Sequence, residues 1–187
     1  MPVCADTSRV DTLYVTFQVP QYTPALESLG VVVYFEPLGG DSLGPFWHFK
    51  RGWENQFNML IDFEDRAGVE GELPWTAVGQ GKVSYDHRSG RGRLELGFYV
   101  PKGAGKPLLP QTTYTGARIR IRHSRSDLAG CAQPVCVEAS DLELKFATGR
   151  RTRAGPGDKR FVAWNSPEGV LCVPRITSRI ASPWHPK

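Results

Sequence analysis

The chain has 187 residues, of which 40% are hydrophobic and 22% are charged, and this composition is typical of a globular domain with one core. Its 20 glycines and 15 prolines disfavour long helices, and no apolar run reaches the roughly 18–20 residues of a transmembrane helix. The net charge of +4 permits an anionic partner without requiring one. We therefore expect one turn-rich domain across residues 1–187.

The first third of the chain alternates apolar and polar residues with a period of two, which is the pattern of half-buried β-strands. Residues 11–20 and 31–38 both show it. Residues 21–30 are expected to form a loop between them, because Pro24 and Gly30 interrupt any longer element.

The aromatic stretch that follows, residues 46–64, is expected to form two strands broken near Gly52. The clearest hairpin spans residues 81–101, where Gly90 and Gly92 permit a tight reversal.

Two later segments, 114–122 and 137–146, each carry one apolar and one charged face. We expect these two strands to pair with each other across a loop bracketed by cysteines. Pairing would place a row of arginines beside a row of acids, namely Arg118, Arg120 and Arg122 beside Glu138, Asp141 and Glu143.

The last strands are expected at residues 161–167 and 169–176, after a basic loop at 150–160 and before an extended tail at 178–187. The whole chain then contains about ten short strands and no convincing helix. The sequence therefore predicts an all-β fold, an antiparallel and jelly-roll-like β-sandwich.

The four cysteines allow three disulfide connectivities. Cys131 and Cys136 bracket a short turn with a proline, and Cys4 and Cys172 lie near opposite ends of the chain. We expect the pairs Cys4–Cys172 and Cys131–Cys136, with four buried thiols as the alternative. Neither sequence pair has the spacing of a zinc knuckle. Disulfides favour a secreted or cell-surface protein from which a signal peptide has been removed.

The closing strand VEASDLELKF resembles that of galactose-binding-like jelly-roll carbohydrate-binding modules, which end in an alternating apolar and acidic strand. The matching residues are Val137, Asp141, Leu142, Leu144 and Phe146. The resemblance implies a non-catalytic domain that binds glycans through aromatic side chains.

Aromatic residues are in surplus between residues 46 and 75, and one core cannot bury every ring there. We expect a ligand-binding surface in this span, because aromatic faces stack on sugar rings and amides or carboxylates bind sugar hydroxyls. The stacking candidates are Trp47, Trp53 and Trp75, and the polar candidates are Asn55, Gln56, Asp62 and Glu64.

Acidic residues are frequent between residues 62 and 72 and suggest two further hypotheses. Oxygen ligands in a loop suit calcium, and the candidate ligands are Asp62, Glu64, Asp65, Glu70 and Glu72. Asp62 and Glu64 alternate onto one strand face and could instead act as the acid and base of a glycoside hydrolase. The histidines at 48, 87, 123 and 185 show no metal-ligand spacing.

Three function classes follow from these patterns. The first is an exported, non-catalytic binding module or lectin that recognises carbohydrate or a cell-surface ligand. The second is a structural sandwich subunit of a coat, fibre or adhesion assembly, which would self-associate. The third is a glycoside-active enzyme. We expect no nucleic-acid partner, because the basic loop lacks interleaved aromatic residues.

Overall fold

The computed structural model describes residues 4, 6–53, 55–63, 71–75, 79–154, 161–164 and 172. Nine strands form two antiparallel sheets within these residues. In chain order they are β1 (Val10–Phe17), β2 (Leu26–Pro37), β3 (Met59–Asp62), β4 (Gln80–Arg88), β5 (Arg91–Tyr99), β6 (Tyr114–Arg122), β7 (Val135–Phe146), β8 (Arg151–Ala154) and β9 (Phe161–Trp164). The predicted antiparallel β-sandwich is confirmed. This part of the chain contains no helix long and apolar enough to cross a membrane.

The smaller sheet has the strand order β1–β6–β3 and covers one side of the core. Ile119 of β6 lies opposite Leu13 of β1 and Ile61 of β3, and all three pack in the core. Successive side chains of a strand point to opposite faces. Arg118 and Arg120 therefore lie on the outer face of this sheet.

The larger sheet has the order β4–β5–β2–β7–β8, and β9 also pairs with β7. The central strand β2 begins at Leu26, so the latter half of the segment predicted as a loop is strand. Leu26 and Leu29 are buried in the core. Gly30 does not end the strand, because its backbone pairs with Gly97 of β5.

The predicted pairing of segments 114–122 and 137–146 is wrong, because β6 and β7 belong to different sheets. Asp62 of β3, not an acid of β7, lies beside Arg118 of β6. Each segment does have one apolar face, as predicted. Both faces contribute to one core, which contains Ile119 and Ile121 of β6 and Leu144 and Phe146 of β7.

A β-bulge interrupts the alternation in β7. Asp141 and Leu142 together lie opposite a single residue of β2, Val31, and Asp141 has a positive φ of 51°. A bulge of this kind bends the strand and increases its twist. Leu144 and Phe146, beyond the bulge, point into the core as predicted.

The predicted hairpin is present as β4 and β5, joined by Ser89 and Gly90. Both turn residues have positive φ, 50° and 77°, as two-residue hairpin turns require. A Cβ atom on Gly90 would also lie 2.1 Å from the Asp41 carbonyl oxygen. Glycine is therefore required here for both backbone conformation and space.

The aromatic stretch 46–64 forms one strand in the described residues, β3, and not the predicted two. Its first part is a 3₁₀ turn, Pro45–Trp47. The turn directs the neighbouring rings of Phe46 and Trp47 into the core together, where strand geometry would have separated them. Trp47 then packs on Phe35 of β2, with ring centroids 5.8 Å apart.

All four cysteines form disulfides, but the predicted pairing is wrong. The structure joins Cys4 to Cys131 and Cys136 to Cys172, with Cα–Cα distances of 5.9 and 5.6 Å. The disulfide pairing reflects which strands are neighbours in the fold. Cys4 precedes β1 and Cys131 follows β6, and these two strands are neighbours in the smaller sheet. Cys136 lies on β7 in the larger sheet.

The C-terminal predictions are tested in part. Arg151–Ala154, the start of the predicted basic loop, is strand β8 and pairs with β7. Arg151 Nη1 lies 3.5 Å from Glu143 Oε1, so the neighbouring strand offsets this charge. Strand β9 occupies the first part of predicted segment 161–167. Residues 155–160, the tail 178–187 and the predicted strand 169–176 except Cys172 lie outside the described residues.

Candidate ligand-binding surface

The three tryptophans predicted to stack on a ligand lie in different environments. Trp47 and Trp75 are core residues, 0% and 2% exposed, whereas Trp53 is 37% exposed. The Trp47 indole N–H donates to the Gly130 carbonyl oxygen at 2.9 Å, and Trp75 packs against Phe98 with centroids 4.2 Å apart. Trp53 is therefore the stacking candidate that the structure leaves at the surface.

Asn55, predicted as a polar ligand partner, is buried and has a structural role. Its Nδ2 donates to the Phe46 carbonyl oxygen, and its Oδ1 accepts from Asn58 Nδ2. Ser124 Oγ in turn donates to Asn58 Oδ1 at 2.6 Å. This buried network fixes the segment that follows the 3₁₀ turn onto the smaller sheet.

Trp53 lies on a compact reversal of the backbone. Gly52 has a φ of +89°, and its N–H donates to Gln56 Oε1 at 2.6 Å. The Trp53 N–H donates to the Lys50 carbonyl oxygen at 3.0 Å. The predicted polar partner Gln56 therefore stabilises the reversal that presents Trp53. Glu54 lies outside the described residues.

Two histidines flank Trp53, and they come from separate elements. His48 ends the 3₁₀ turn. His87 follows Tyr85 by two positions on β4 and so points to the same face, and the Tyr85 hydroxyl donates to the Trp47 carbonyl oxygen at 2.6 Å. The end of β4 consequently packs over the turn that carries His48.

The three rings are in mutual contact. The His48 ring meets the Trp53 ring edge-on, with centroids 4.4 Å apart and planes at 86°. The two imidazole centroids are 4.5 Å apart, and His87 lies 5.9 Å from Trp53. Such edge-to-face geometry is the favoured arrangement of aromatic pairs. It holds Trp53 in one orientation at the surface.

An ion pair joins the two segments that carry the histidine rings. Lys50 Nζ lies 3.2 Å from Asp86 Oδ1, and Arg88 also contacts the Asp86 carboxylate. The hydrogen bond from Lys50 and the contact with Arg88 hold the pKa of Asp86 below its ordinary value. Asp86 is therefore an ionised acceptor at neutral pH. We call His48, Lys50, Trp53, Asp86 and His87 together the Trp53 surface.

His87 is a neutral imidazole at neutral pH. Burial lowers its pKa below 6.5, proximity to His48 lowers it further, and Asp86 partly offsets both effects. Its Nε2 atom is buried and has no hydrogen-bond partner within the described part of the chain. A buried polar atom of this kind can bind a polar group of a ligand.

A second exposed aromatic ring, Phe57, lies four residues after Trp53 and is 77% exposed. Contiguous exposed apolar surface marks interaction sites, and Phe57 is close to Trp53 in the sequence. Sequence reasoning missed Phe57, His48 and His87. The surplus of aromatic residues was the available signal, but the pattern did not show which rings are core.

The acidic hypotheses remain predictions. Asp62 Oδ2 accepts from Arg118 Nη2 at 3.0 Å on the outer face of the smaller sheet. Glu72 is exposed, and the other three calcium candidates, Glu64, Asp65 and Glu70, lie outside the described residues. The carboxyl separation that a glycoside hydrolase requires is therefore not measured between Asp62 and Glu64.

A separate cleft of about 200 Å³ lies between the end of β2 and the β4–β5 turn. Its lining residues are Glu36, Pro37, Gly40, Asp41, Ser89 and Arg91. Arg91 Nη1 lies 3.2 Å from Glu36 Oε1, so the two side chains form an ion pair and their charges cancel. The described lining includes no aromatic ring, unlike the Trp53 surface.

Comparison with known proteins finds no matching family model, no matching curated protein and no matching solved structure. The function is therefore inferred from the side chains of the Trp53 surface.

Proposed function

We propose that the protein is an exported, non-catalytic binding module that recognises carbohydrate through the Trp53 surface. One observation carries this proposal. Trp53 is partly exposed and oriented by two histidine rings, beside the Lys50–Asp86 ion pair. An apolar ring face next to convergent polar groups is the composition of a small-ligand site.

Carbohydrate matches this chemistry because a sugar ring is both apolar and polar. Its C–H groups can pack on the electron-rich face of the Trp53 indole. Its hydroxyls can donate to the Asp86 carboxylate and accept from the Lys50 ammonium or an imidazole N–H. The neutral His87 ring can serve as donor or acceptor.

The Trp53 side chain is already oriented, and this supports binding. Ordering a flexible side chain on binding costs about 0.5–1.5 kcal/mol. The edge contact with His48 and the hydrogen bond between Gly52 and Gln56 restrict this segment before a ligand arrives. A rigid platform therefore loses less entropy than a mobile one.

The location that we propose is secreted or cell-surface. Two disulfides use all four cysteines, and disulfides persist in oxidising compartments. The resemblance of VEASDLELKF to the closing strand of galactose-binding-like carbohydrate-binding modules points in the same direction.

The test begins with a glycan array probed with the full chain, followed by titration of any bound glycan against tryptophan fluorescence. Trp53→Ala should weaken binding at least about tenfold, which is 1.4 kcal/mol, while Trp53→Phe keeps part of the affinity. The matched control is Tyr22→Ala, because Tyr22 is an exposed aromatic residue, 61% exposed, away from the proposed site. A blank array, or full binding by Trp53→Ala, would contradict the proposal.

The alternative is a structural subunit of a coat, fibre or adhesion assembly, and two observations favour it. Phe57 is largely exposed, and β4 is an edge strand of the described sheet with Val83 45% exposed. Exposed edges and apolar rings promote association between copies. Light scattering should then show mass that grows with concentration and falls in Phe57→Ser. A monomer at all concentrations would exclude this alternative.

A further inference from the structure

The imidazole of His123 lies fully buried between a carboxylate and a disulfide. His123 directly follows β6 and is 0% exposed. Its Nε2 lies 2.8 Å from Asp11 Oδ2, and its Nδ1 lies 3.7 Å from Cys131 Sγ. Cys131 is bonded to Cys4.

The contact with Asp11 decides which ring nitrogen carries the hydrogen. A carboxylate oxygen only accepts hydrogen bonds, so Nε2 of His123 must be the donor. In the neutral ring, the lone pair of Nδ1 then faces Cys131 Sγ. A disulfide sulfur has no hydrogen to donate. A disulfide therefore leaves this buried acceptor without a donor from Cys131, whereas a thiol or a metal ion would satisfy it.

The ring is also held firmly in place. His123 stacks on Trp164 at 5.4 Å with planes 10° apart, and it lies 5.6 Å from Phe46. The backbone N–H of His123 donates to the Arg9 carbonyl oxygen at 3.0 Å. A site whose ligand direction is set by packing is preorganised for an incoming ion.

We propose that Cys4, Cys131 and His123 form a binding site for zinc when their disulfide is reduced. Their three potential ligand atoms lie within 4.8 Å of one another. Zinc binds sulfur at about 2.3 Å and nitrogen at about 2.0–2.1 Å, so the two sulfurs, bonded to each other in the disulfide, must move apart after reduction to hold one ion with the His123 nitrogen. Two thiolates and one imidazole are a ligand set that zinc uses.

Asp11 would be the positioning residue of this site. Zinc-bound histidines commonly donate their other N–H to a carboxylate, which fixes the tautomer and the ring orientation. Asp11 already makes that contact with His123. Cys4 is only half-buried, unlike Cys131 and His123, so a water molecule can approach the fourth position from its side.

The chemistry balances with a low-molecular-weight thiol as the reductant. Two thiols reduce the Cys4–Cys131 bond to two cysteine thiols and form one external disulfide. Zinc then displaces a proton from each cysteine and binds both thiolates and Nδ1 of His123. The same three residues would thus hold a disulfide under oxidising conditions and a metal ion under reducing ones.

The test uses the full chain, reduced under anaerobic conditions, freed of reductant and titrated with Co²⁺ as a spectroscopic substitute for zinc. One Co²⁺ per chain should bind, with visible bands of tetrahedral geometry and thiolate charge transfer, and Zn²⁺ should displace it. The oxidised chain should show neither band. Asp11→Asn should weaken metal binding about 10–100-fold.

Two matched double variants show which cysteines bind the metal, because each variant removes one disulfide. The Cys136→Ser and Cys172→Ser double variant should keep the cobalt bands, and the Cys4→Ser and Cys131→Ser double variant should lose them. The opposite result, or no bands in the reduced wild-type chain, would overturn the proposal. Circular dichroism before and after reduction shows whether the reduced chain stays folded. A reduced chain that stays unfolded with Co²⁺ present would overturn it as well.

Discussion

The imidazole rings of His48 and His87 lie in contact, with centroids 4.5 Å apart, although 39 positions separate them in the sequence. Each comes from a different element, and both rings pack against Trp53. Two like-charged imidazolium groups at this distance would repel each other. Proximity to His48 therefore disfavours the protonated form of His87, which makes the Trp53 surface sensitive to pH.

Stability should fall as the pH drops below 6.5. The folded-state pKa of His87 is lowered by burial and then by His48, so the unfolded chain binds more protons in this range. The stabilising contribution is complete above the ordinary pKa of 6.5 and is lost as the pH falls toward the lower folded pKa. Urea unfolding between pH 5 and 7.5 measures this slope. His87→Gln should flatten it, and an unchanged slope would contradict the assignment.

Asp86 should act in a separate and more acidic window. Its folded pKa is lowered by Lys50 and Arg88 from 3.8, so its contribution is present above that value and is lost below it. Asp86→Asn should remove this acid-range loss. Because the Asp86 charge raises the pKa of His87, the same change should lower that pKa further and steepen the slope between pH 5 and 7.5. Urea unfolding at pH 2.5 to 4.5 tests the acid-range effect. A flatter dependence of the unfolding free energy on pH between 5 and 7.5 in Asp86→Asn would contradict this prediction.

The tryptophans should divide into core and surface residues when they are mutated. Trp47→Ala removes a side chain that is 0% exposed and should cost about 3–5 kcal/mol of unfolding free energy. Trp53→Ala should cost about 1 kcal/mol or less, because its ring is partly in water. Urea unfolding at pH 7.5 measures both. Equal losses would mean that Trp53 is a core residue and would remove it from the proposed site.

Gly90 should tolerate alanine less well than another glycine with the same backbone conformation. Gly90 and Gly39 have φ values of 77° and 80°, but a Cβ atom meets the Asp41 oxygen at 2.1 Å only at Gly90. Alanine in this region costs about 1–2 kcal/mol at either position. Gly90→Ala should exceed Gly39→Ala by the cost of the clash. Similar free energies of unfolding for both variants would show that the β4–β5 turn moves freely.

The Cys4–Cys131 disulfide should contribute more stability than Cys136–Cys172. The bonds span 127 and 36 residues, and the chain-entropy model gives roughly 5 and 4 kcal/mol for loops of these lengths. Replacing each pair by serines and measuring unfolding free energies should show this order. Peptide mapping without reductant should first recover these two pairs. Recovery of a Cys131–Cys136 peptide would contradict the connectivity itself.

The sequence by itself determined the fold class and the direction of most side chains. Period-two alternation is a local property, so the inward faces of β1 and β2 could be read directly from it. The β4–β5 hairpin was equally local, because Gly90 permits the positive φ of a tight turn. The surplus of aromatic residues also located the region of the candidate site.

The tertiary structure alone decided which elements meet. Alternation specifies a face but not a partner, so it could not show that β6 and β7 lie in opposite sheets. The disulfide pairing depends on that arrangement. Trp47 and Trp53 are both aromatic, and only the packing of the 3₁₀ turn buries one and leaves the other in water. The contact between His48 and His87 has the same origin, because it exists only where the end of β4 crosses that turn.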